Sequence, residues 1–304
     1  MTAPRTSPKH IGLGSEPRRG LAFMLLSCLS FSGMSALVFA TQLREPAASP
    51  LIASFVRILV NLAVVFASAA ATGTLRSLRG DGRPSLWARG MFGTVALMTS
   101  FAALKAVGIG EASFLLASSG IFVAVFAPFF LKQRNPPRVW FAIAGATLGL
   151  YLLFEPRLED VHPWGRALAV FSGACSALAY MMIARAGRSN TPNSVIFYFC
   201  VVAVPMHLVA IFLIFDASWP REGASYALLA TAGLLGSAGQ NFLTRAYQTA
   251  PAALNSAVSY LGPVLNVGIG ILAFGRHPDA KAWTGAAIVL IFGVMLPFSR
   301  RRRV

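Results

Sequence analysis

Ten stretches of this chain are apolar for the length a helix needs to cross a bilayer: 20–40, 50–72, 86–106, 110–131, 138–154, 164–184, 193–215, 224–245, 250–273 and 281–298. The hydrocarbon core takes about 20 such residues. The connections are short and carry helix breakers: Glu45-Pro46, Asn135-Pro136-Pro137, Glu155-Pro156 and His277-Pro278, with Gly108 and Gly110 separating the third run from the fourth. The expected fold is an all-α integral membrane protein with ten transmembrane helices. Only 12% of the residues are charged, against about 25% in a soluble domain, which excludes a water-soluble chain.

The net charge of +16 comes from cations placed mainly between the runs. They act as topology determinants, and no nucleic-acid partner is expected. With the N-terminus in the cytoplasm, eighteen of the 26 cations fall inside, among them Arg76, Arg83, Arg89, Arg185 and the run Arg300 to Arg303, and seven fall outside. Both termini are therefore expected in the cytoplasm, in a bacterial-type inner membrane. The first run, near Leu21, is longer than the core of a cleavable signal and lacks a clear cleavage site, so it reads as a retained span. Cys28, Cys175 and Cys200 lie in apolar runs without CxxC spacing, so neither a disulfide framework nor a metal site is expected, and no cofactor either.

The chain also repeats itself. "FSGMSALVFA" (31–40) and "FSGACSALAY" (171–180) share Phe-Ser-Gly at an offset of 140. "KAVGIGEAS" (105–113) and "RAYQTAPAA" (245–253) stand at the same offset, and Trp140 and Trp283 at 143. Five spans then lie in each half, and because five is odd the second half enters the membrane inverted. The expected organisation is a cytoplasmic leader (1–19), a first repeat (20–154), a periplasmic connection (155–163), a second repeat (164–298) and a basic tail (299–304). Inverted repeats characterise secondary transporters, which bind substrate near the midplane and alternate access by rocking one half against the other.

At the joints "ALKAVGIGEASFLLASSGIFVAVFAPFFLK" and "LTRAYQTAPAALNSAVSYLGPVLNVGIGILAF" the chain resembles the drug/metabolite transporter superfamily, EamA type. The resemblance covers roughly residues 20 to 298. It implies a central cavity lined mainly by spans 1, 3, 4, 6, 8 and 9, and export of amino acids or related metabolites. Members commonly carry an acidic residue after the fourth and ninth spans; here those places hold Gln133 and Arg276.

Ionisable residues inside a bilayer are expensive and mark function by default. All ten carboxylates fall in loops or at helix ends, Glu111 being nearest the hydrocarbon, while Arg57 and His207 lie well inside spans. Arg57 sits about 10 Å into the second helix. It is either a partner for a substrate carboxylate or a structural, snorkelling arginine; an arginine near this point recurs in the family's repeats. His207 follows Pro205, and either bonds the carbonyl freed by that proline or couples transport to protons.

Uncharged polar residues fall into helical stripes: Asn255, Ser259, Pro263 and Asn266 in span 9, and Gln240 and Asn241 with Thr244 in span 8. Ser32, Tyr180 and Ser119 extend the set to spans 1, 6 and 4, and Tyr260 and Phe101 add aromatic surface. The serines equally suit helix packing. The amides need several hydrogen-bond partners each and indicate a wet, partly aromatic cavity for a neutral or zwitterionic solute, with aromatic amino acids as the specific expectation. Drugs, sugars and nucleobases are the competing substrates. Gly108, Gly110, Gly262 and Pro263 are candidate hinge or gate residues.

Rival classes lack their residues. Neither "ASSG" (117–120) nor "GSAG" (236–239) matches an intramembrane serine protease, no aspartate lies in a span, and no P-loop occurs. A channel would want a charged ring or filter loop, which neither half offers. The expected partners are a small-molecule substrate and the bilayer; an oligomer is not implied, and a monomer suffices.

Overall fold

The computed structural model describes residues 17–107, 109–155, 163–215, 217–275 and 278–298. Gly108, Arg276, the basic tail, and nearly all of the leader and of the 155–163 connection lie outside the described residues.

Twelve α-helices carry the ten spans: α1 (Pro17–Arg44), α2 (Pro50–Ala71), α3 (Pro84–Val107), α4 (Ile109–Leu116), α5 (Ser119–Leu131), α6 (Pro137–Phe154), α7 (Pro163–Ala186), α8 (Pro192–Val209), α9 (Gly223–Thr249), α10 (Ala252–Ser259), α11 (Leu261–Phe274) and α12 (Ala280–Phe298). Six of them begin on proline. At the first helical position the missing N–H has no partner to lose, and the fixed φ already suits a helix. Ser49 and Thr191 cap α2 and α8, their hydroxyls accepting from Leu51 N at 3.3 Å and Ser194 N at 3.2 Å.

Spans 4 and 9 are not the single helices that hydropathy predicts. The first breaks at Ala117–Ser118, between α4 and α5, and the second at Tyr260, between α10 and α11. Pro263 is the third residue of α11, where a proline is tolerated, so the interruption lies just before it. Of the other candidate hinges, Gly110 belongs to α4 and Gly262 to the first turn of α11. Span 7 ends in a π-helical turn, Ala210–Ile214.

Seven spans are long and apolar enough to cross a membrane, and α12 is apolar over a shorter stretch, Ala280–Gly293. The two remaining, α3 and α9, pack inside the bundle, α3 against α7 and α8, α9 against α1 and α2. All five tryptophans, Trp87, Trp140, Trp164, Trp219 and Trp283, are exposed and stand at or beside helix starts. They form the aromatic belts of a membrane protein, while Phe129 (78% exposed) and Leu272 (89%) face outward where lipid would lie.

Polar contacts tie the connections together on two sides. On the side of both chain ends, Ser189 Oγ donates to Asp81 Oδ2 at 2.6 Å and Ala252 N to Gln133 Oε1 at 3.0 Å. On the opposite side stand the ion pairs Arg44–Glu222 (2.5 Å), Arg166–Glu111 (2.6 Å) and Lys281–Glu155 (3.2 Å).

The packing repeats when the halves are exchanged. Helix α1 packs on α9 as α7 packs on α3, α2 on α9 as α8 on α3, and α1 on α11 as α7 on α5. Ser27 Oγ donates to Gly239 O at 2.9 Å, and Ser172 Oγ to Ala96 O at 2.6 Å. A β-carbon on Gly233 would stand 2.7 Å from Val60 Cβ, and one on Gly90 2.7 Å from Val202 Cγ2. These close approaches need small residues, the usual solution for helix contacts in lipid. The register matches Ser27, not Ser32, with Ser172, so the Phe-Ser-Gly identity is five residues out of step in α1 and α7. The later helix starts recur at offsets of 139 to 143.

Candidate functional site

The middle of α1, α2 and α9 meets around Arg57. Its guanidinium lies over the Phe31 ring, 5.2 Å from the centroid, and its side chain runs past Gly236, where a β-carbon would stand 3.2 Å from both Cγ and Nε. Arg57 keeps part of its surface accessible between Phe31 of α1 and Gly236 of α9. Among the described residues no carboxylate pairs with it.

A second arginine, which the charge count assigned to the inner loops, joins it. Arg89 is only 4% exposed. Its side chain reaches along its own helix into the space left open at Gly93, so the guanidinium stands one turn deeper than its α-carbon. There it lies over Phe199, 4.5 Å from the centroid, and its Nε is buried with no hydrogen-bond partner. Arg57, Arg89 and Tyr180 are within electrostatic reach of one another. Tyr180, partly accessible, stacks on Tyr247 with centroids 4.8 Å apart. Gln240, one turn from Gly236 on the same face of α9, is 4% exposed and its Nε2 has no partner. Arg89 Nε and Gln240 Nε2 are thus buried without partners and Arg57 without a carboxylate, and buried polar groups without partners are costly enough to need a reason.

The other predicted amides do not converge there. Asn255 is fully buried; its Nδ2 donates to Ala246 O (2.7 Å) and Ala250 O (3.3 Å), bracing the end of α9, while its Oδ1 has no partner. Asn241 Oδ1 accepts from Arg245 Nε at 2.7 Å, and Asn266 lies exposed on α11. The stripe of Asn255, Ser259, Pro263 and Asn266 is no single face, because the break at Tyr260 resets the helical phase between its members. Ser259 Oγ donates to Ser256 O at 2.7 Å. Ser119 opens α5 half-buried. Phe101 is in α3, but its side chain lies outside the described residues.

Several polar groups serve carbonyls that prolines release. Pro263 cannot donate to Ser259 O, and Cys28 Sγ stands 3.9 Å from that oxygen; beside it, Ser32 Oγ donates to Gly262 O, which no proline frees, at 3.3 Å. Pro128 likewise frees Ala124 O, which takes Asn135 Nδ2 at 2.6 Å. His207 does not serve the carbonyl freed by Pro205: its Nδ1 bonds Ala203 O at 2.8 Å, its Nε2 meets Ser54 Oγ at 3.1 Å, and the ring is fully buried beside Phe55. Both nitrogens are engaged, and the residue clips α8 to α2. Glu111, 5% exposed, is held by Arg166. No cluster of three or more metal-ligating groups occurs among the described residues.

The two broken spans meet on the terminal side only. There α5 packs against α10, Gln133 receives the first amide of α10, and Tyr260 Oη donates to Ala117 O at 3.0 Å while its ring fills the space over Gly120. Their other halves, α4 and α11, make no comparable contact, and in α11 only Leu261 is buried. A groove of about 460 Å³ lined by residues 211–215, Ala217 and Trp219 lies at the far end of α8, away from the arginines.

Sequence patterning found Arg57, Gln240 and Tyr180 but missed Arg89. The available signal was its position: Arg89 lies inside the predicted run 86–106, where a cation is as costly as Arg57. Gln133 stood out only by departing from the family's acidic residue, and its role as a cap came with the fold.

Comparison with known proteins agrees with this architecture. The profile described as the EamA-like transporter family matches twice, over residues 18–155 and 163–298. The pseudopaline exporter CntI of Pseudomonas aeruginosa is 27% identical over 285 residues, covering 93% of this chain and 98% of that one. A riboflavin transporter of Rhizobium johnstonii is 30% identical over 206 residues, 66% of each chain. A solved crystal structure superposes with a TM-score of 0.79 at 17% identity, over 94% of this chain and 100% of that one, and supports the fold.

Proposed function

The chain belongs to the EamA-like transporter family, and from that premise we propose that it exports a small carboxylate-bearing metabolite across a bacterial inner membrane by alternating access. It is a membrane transporter and not an enzyme. The narrowest substrate reading is an amino acid with an aromatic side chain: Arg57 meets the carboxylate, and Phe31, Tyr180 and Tyr247 supply aromatic walls. The relatives named for pseudopaline and riboflavin keep related metabolites in the field. The observation that carries the mechanism is the unequal closure of the broken spans, packed together on the terminal side and apart on the other. Two five-helix halves of inverted topology, rocking about the central arginines, would exchange that asymmetry. Asn266, an exposed amide on the parted helix α11, suits a wet vestibule better than lipid.

Transport is read as facilitated. No carboxylate among the described residues lies free within a span, and His207 has both nitrogens bonded. Counterflow of radiolabelled phenylalanine in proteoliposomes tests this reading. Saturable exchange without a pH or sodium gradient is expected, retained in His207→Gln; uphill accumulation driven by protons and lost in that variant would refute it. Orientation has its own test. Asp279→Cys should label from outside and Asp81→Cys only from inside, against a silent background because the three native cysteines are buried.

A further inference from the structure

Arg57 and Arg89 put two positive charges into the bundle, and nothing described there neutralises them. Among the described residues, the ion-paired carboxylates stand at or beside helix ends, with Arg44, Arg83, Arg166 or Lys281. Among the described residues the two arginines have ring faces, Phe31 and Phe199, as compensation, and a cation–π contact offsets only part of what burying a guanidinium costs. Arg57 keeps accessible surface, and Arg89 is buried with its Nε unpartnered. A zwitterion answers one of these groups and brings an ammonium that the other repels. We infer that the transported solute carries two acidic groups, one for Arg57 and one for Arg89, and so crosses as a dianion. Gln240 Nε2, also without a partner, donates to the same ligand.

The inference rests on the transport reading above and replaces its zwitterionic amino acid with a dicarboxylate. It also suits a bundle in which no carboxylate among the described residues lies free within a span. A membrane potential negative inside drives a dianion outward, with about twice the force it exerts on a monoanion, so an uncoupled carrier exports it.

Three probes separate the possibilities: phenylsuccinate (a ring with two carboxylates), succinate (two carboxylates, no ring) and phenylalanine (a ring on a zwitterion). Equilibrium binding to the purified full chain in detergent, at neutral pH, should favour phenylsuccinate over phenylalanine by about tenfold or more, roughly 1.4 kcal/mol. Arg89→Gln should erase that preference, and Arg57→Gln should weaken all three probes. Arg89→Lys, monodisperse on size exclusion, should keep part of the preference and so separates lost charge from lost fold. In proteoliposomes, an inside-negative potassium diffusion potential should accelerate phenylsuccinate efflux. Equal binding of phenylalanine and phenylsuccinate by the unmutated protein would overturn the dianion and leave the amino-acid reading intact. Binding of succinate without phenylsuccinate would keep the dianion and discard the aromatic substrate. Failure of all three would discard both.

Discussion

The two halves of this transporter share a scaffold but not a chemistry. At the tightest contacts they match: Gly90 meets Val202 as Gly233 meets Val60, and Gly93 faces Phe199 as Gly236 faces Arg57. The last pair is where they part. The position one half fills with a guanidinium the other fills with a phenyl ring, and Arg89, which lies over that ring, also belongs to the first half. Backbone approach within van der Waals contact admits only small residues, so both copies keep their glycines. The side chain facing the interior is under no such constraint. On the proposed mechanism, a symmetric frame with both charges in one half would rock symmetrically while holding its ligand off-centre.

The comparison breaks first, and hardest, at its glycines. Gly233→Leu and Gly90→Leu should each abolish the monodisperse folded peak on size exclusion, because a branched side chain must displace Val60 or Val202 and overpacking costs about 1–3 kcal/mol or more. Unequal outcomes would show that the halves are not mechanically equivalent. Asn255→Leu comes next. It removes the amide bracing Ala246 O and Ala250 O, with an expected loss of about 1–3 kcal/mol, read as lowered thermal stability with unchanged probe affinity in the surviving protein. Weakened binding at unchanged stability would return Asn255 to the cavity. The smallest effect is expected at Tyr260, which bonds the carbonyl of Ala117, its own counterpart 143 residues earlier in the other half. Tyr260→Phe forfeits one hydrogen bond, about 1 kcal/mol. It should loosen the terminal-side closure and raise the rate of counterflow slightly; a slower carrier would mean that the bond belongs to the open state.

Part of the site was legible from residues alone. Arg57 declared itself because a charge seven residues past Pro50 must lie in hydrocarbon, and Gln240 because an amide there needs partners. The equally buried Arg89 hid near a span end, where snorkelling to water is normal; only the gap at Gly93 turns it inward. Asn255 and Asn241 looked like ligands for the same reason as Gln240, yet the carbonyls at the end of α9 and the side chain of Arg245 had already taken them.

Hydropathy and length are local properties set against one external scale, the bilayer, so the sequence by itself determined the number of spans, their limits to within a few residues and the family. Which polar group meets which partner depends on neighbouring helices brought together across more than 100 residues of chain. That decided the breaks at Ala117–Ser118 and Tyr260, the engagement of both His207 nitrogens, and the pairing of two uncompensated arginines. The physical reason is that a buried hydrogen bond forms with whatever carbonyl the fold leaves free, and a proline or a helix end frees it only once the surrounding bundle has excluded water.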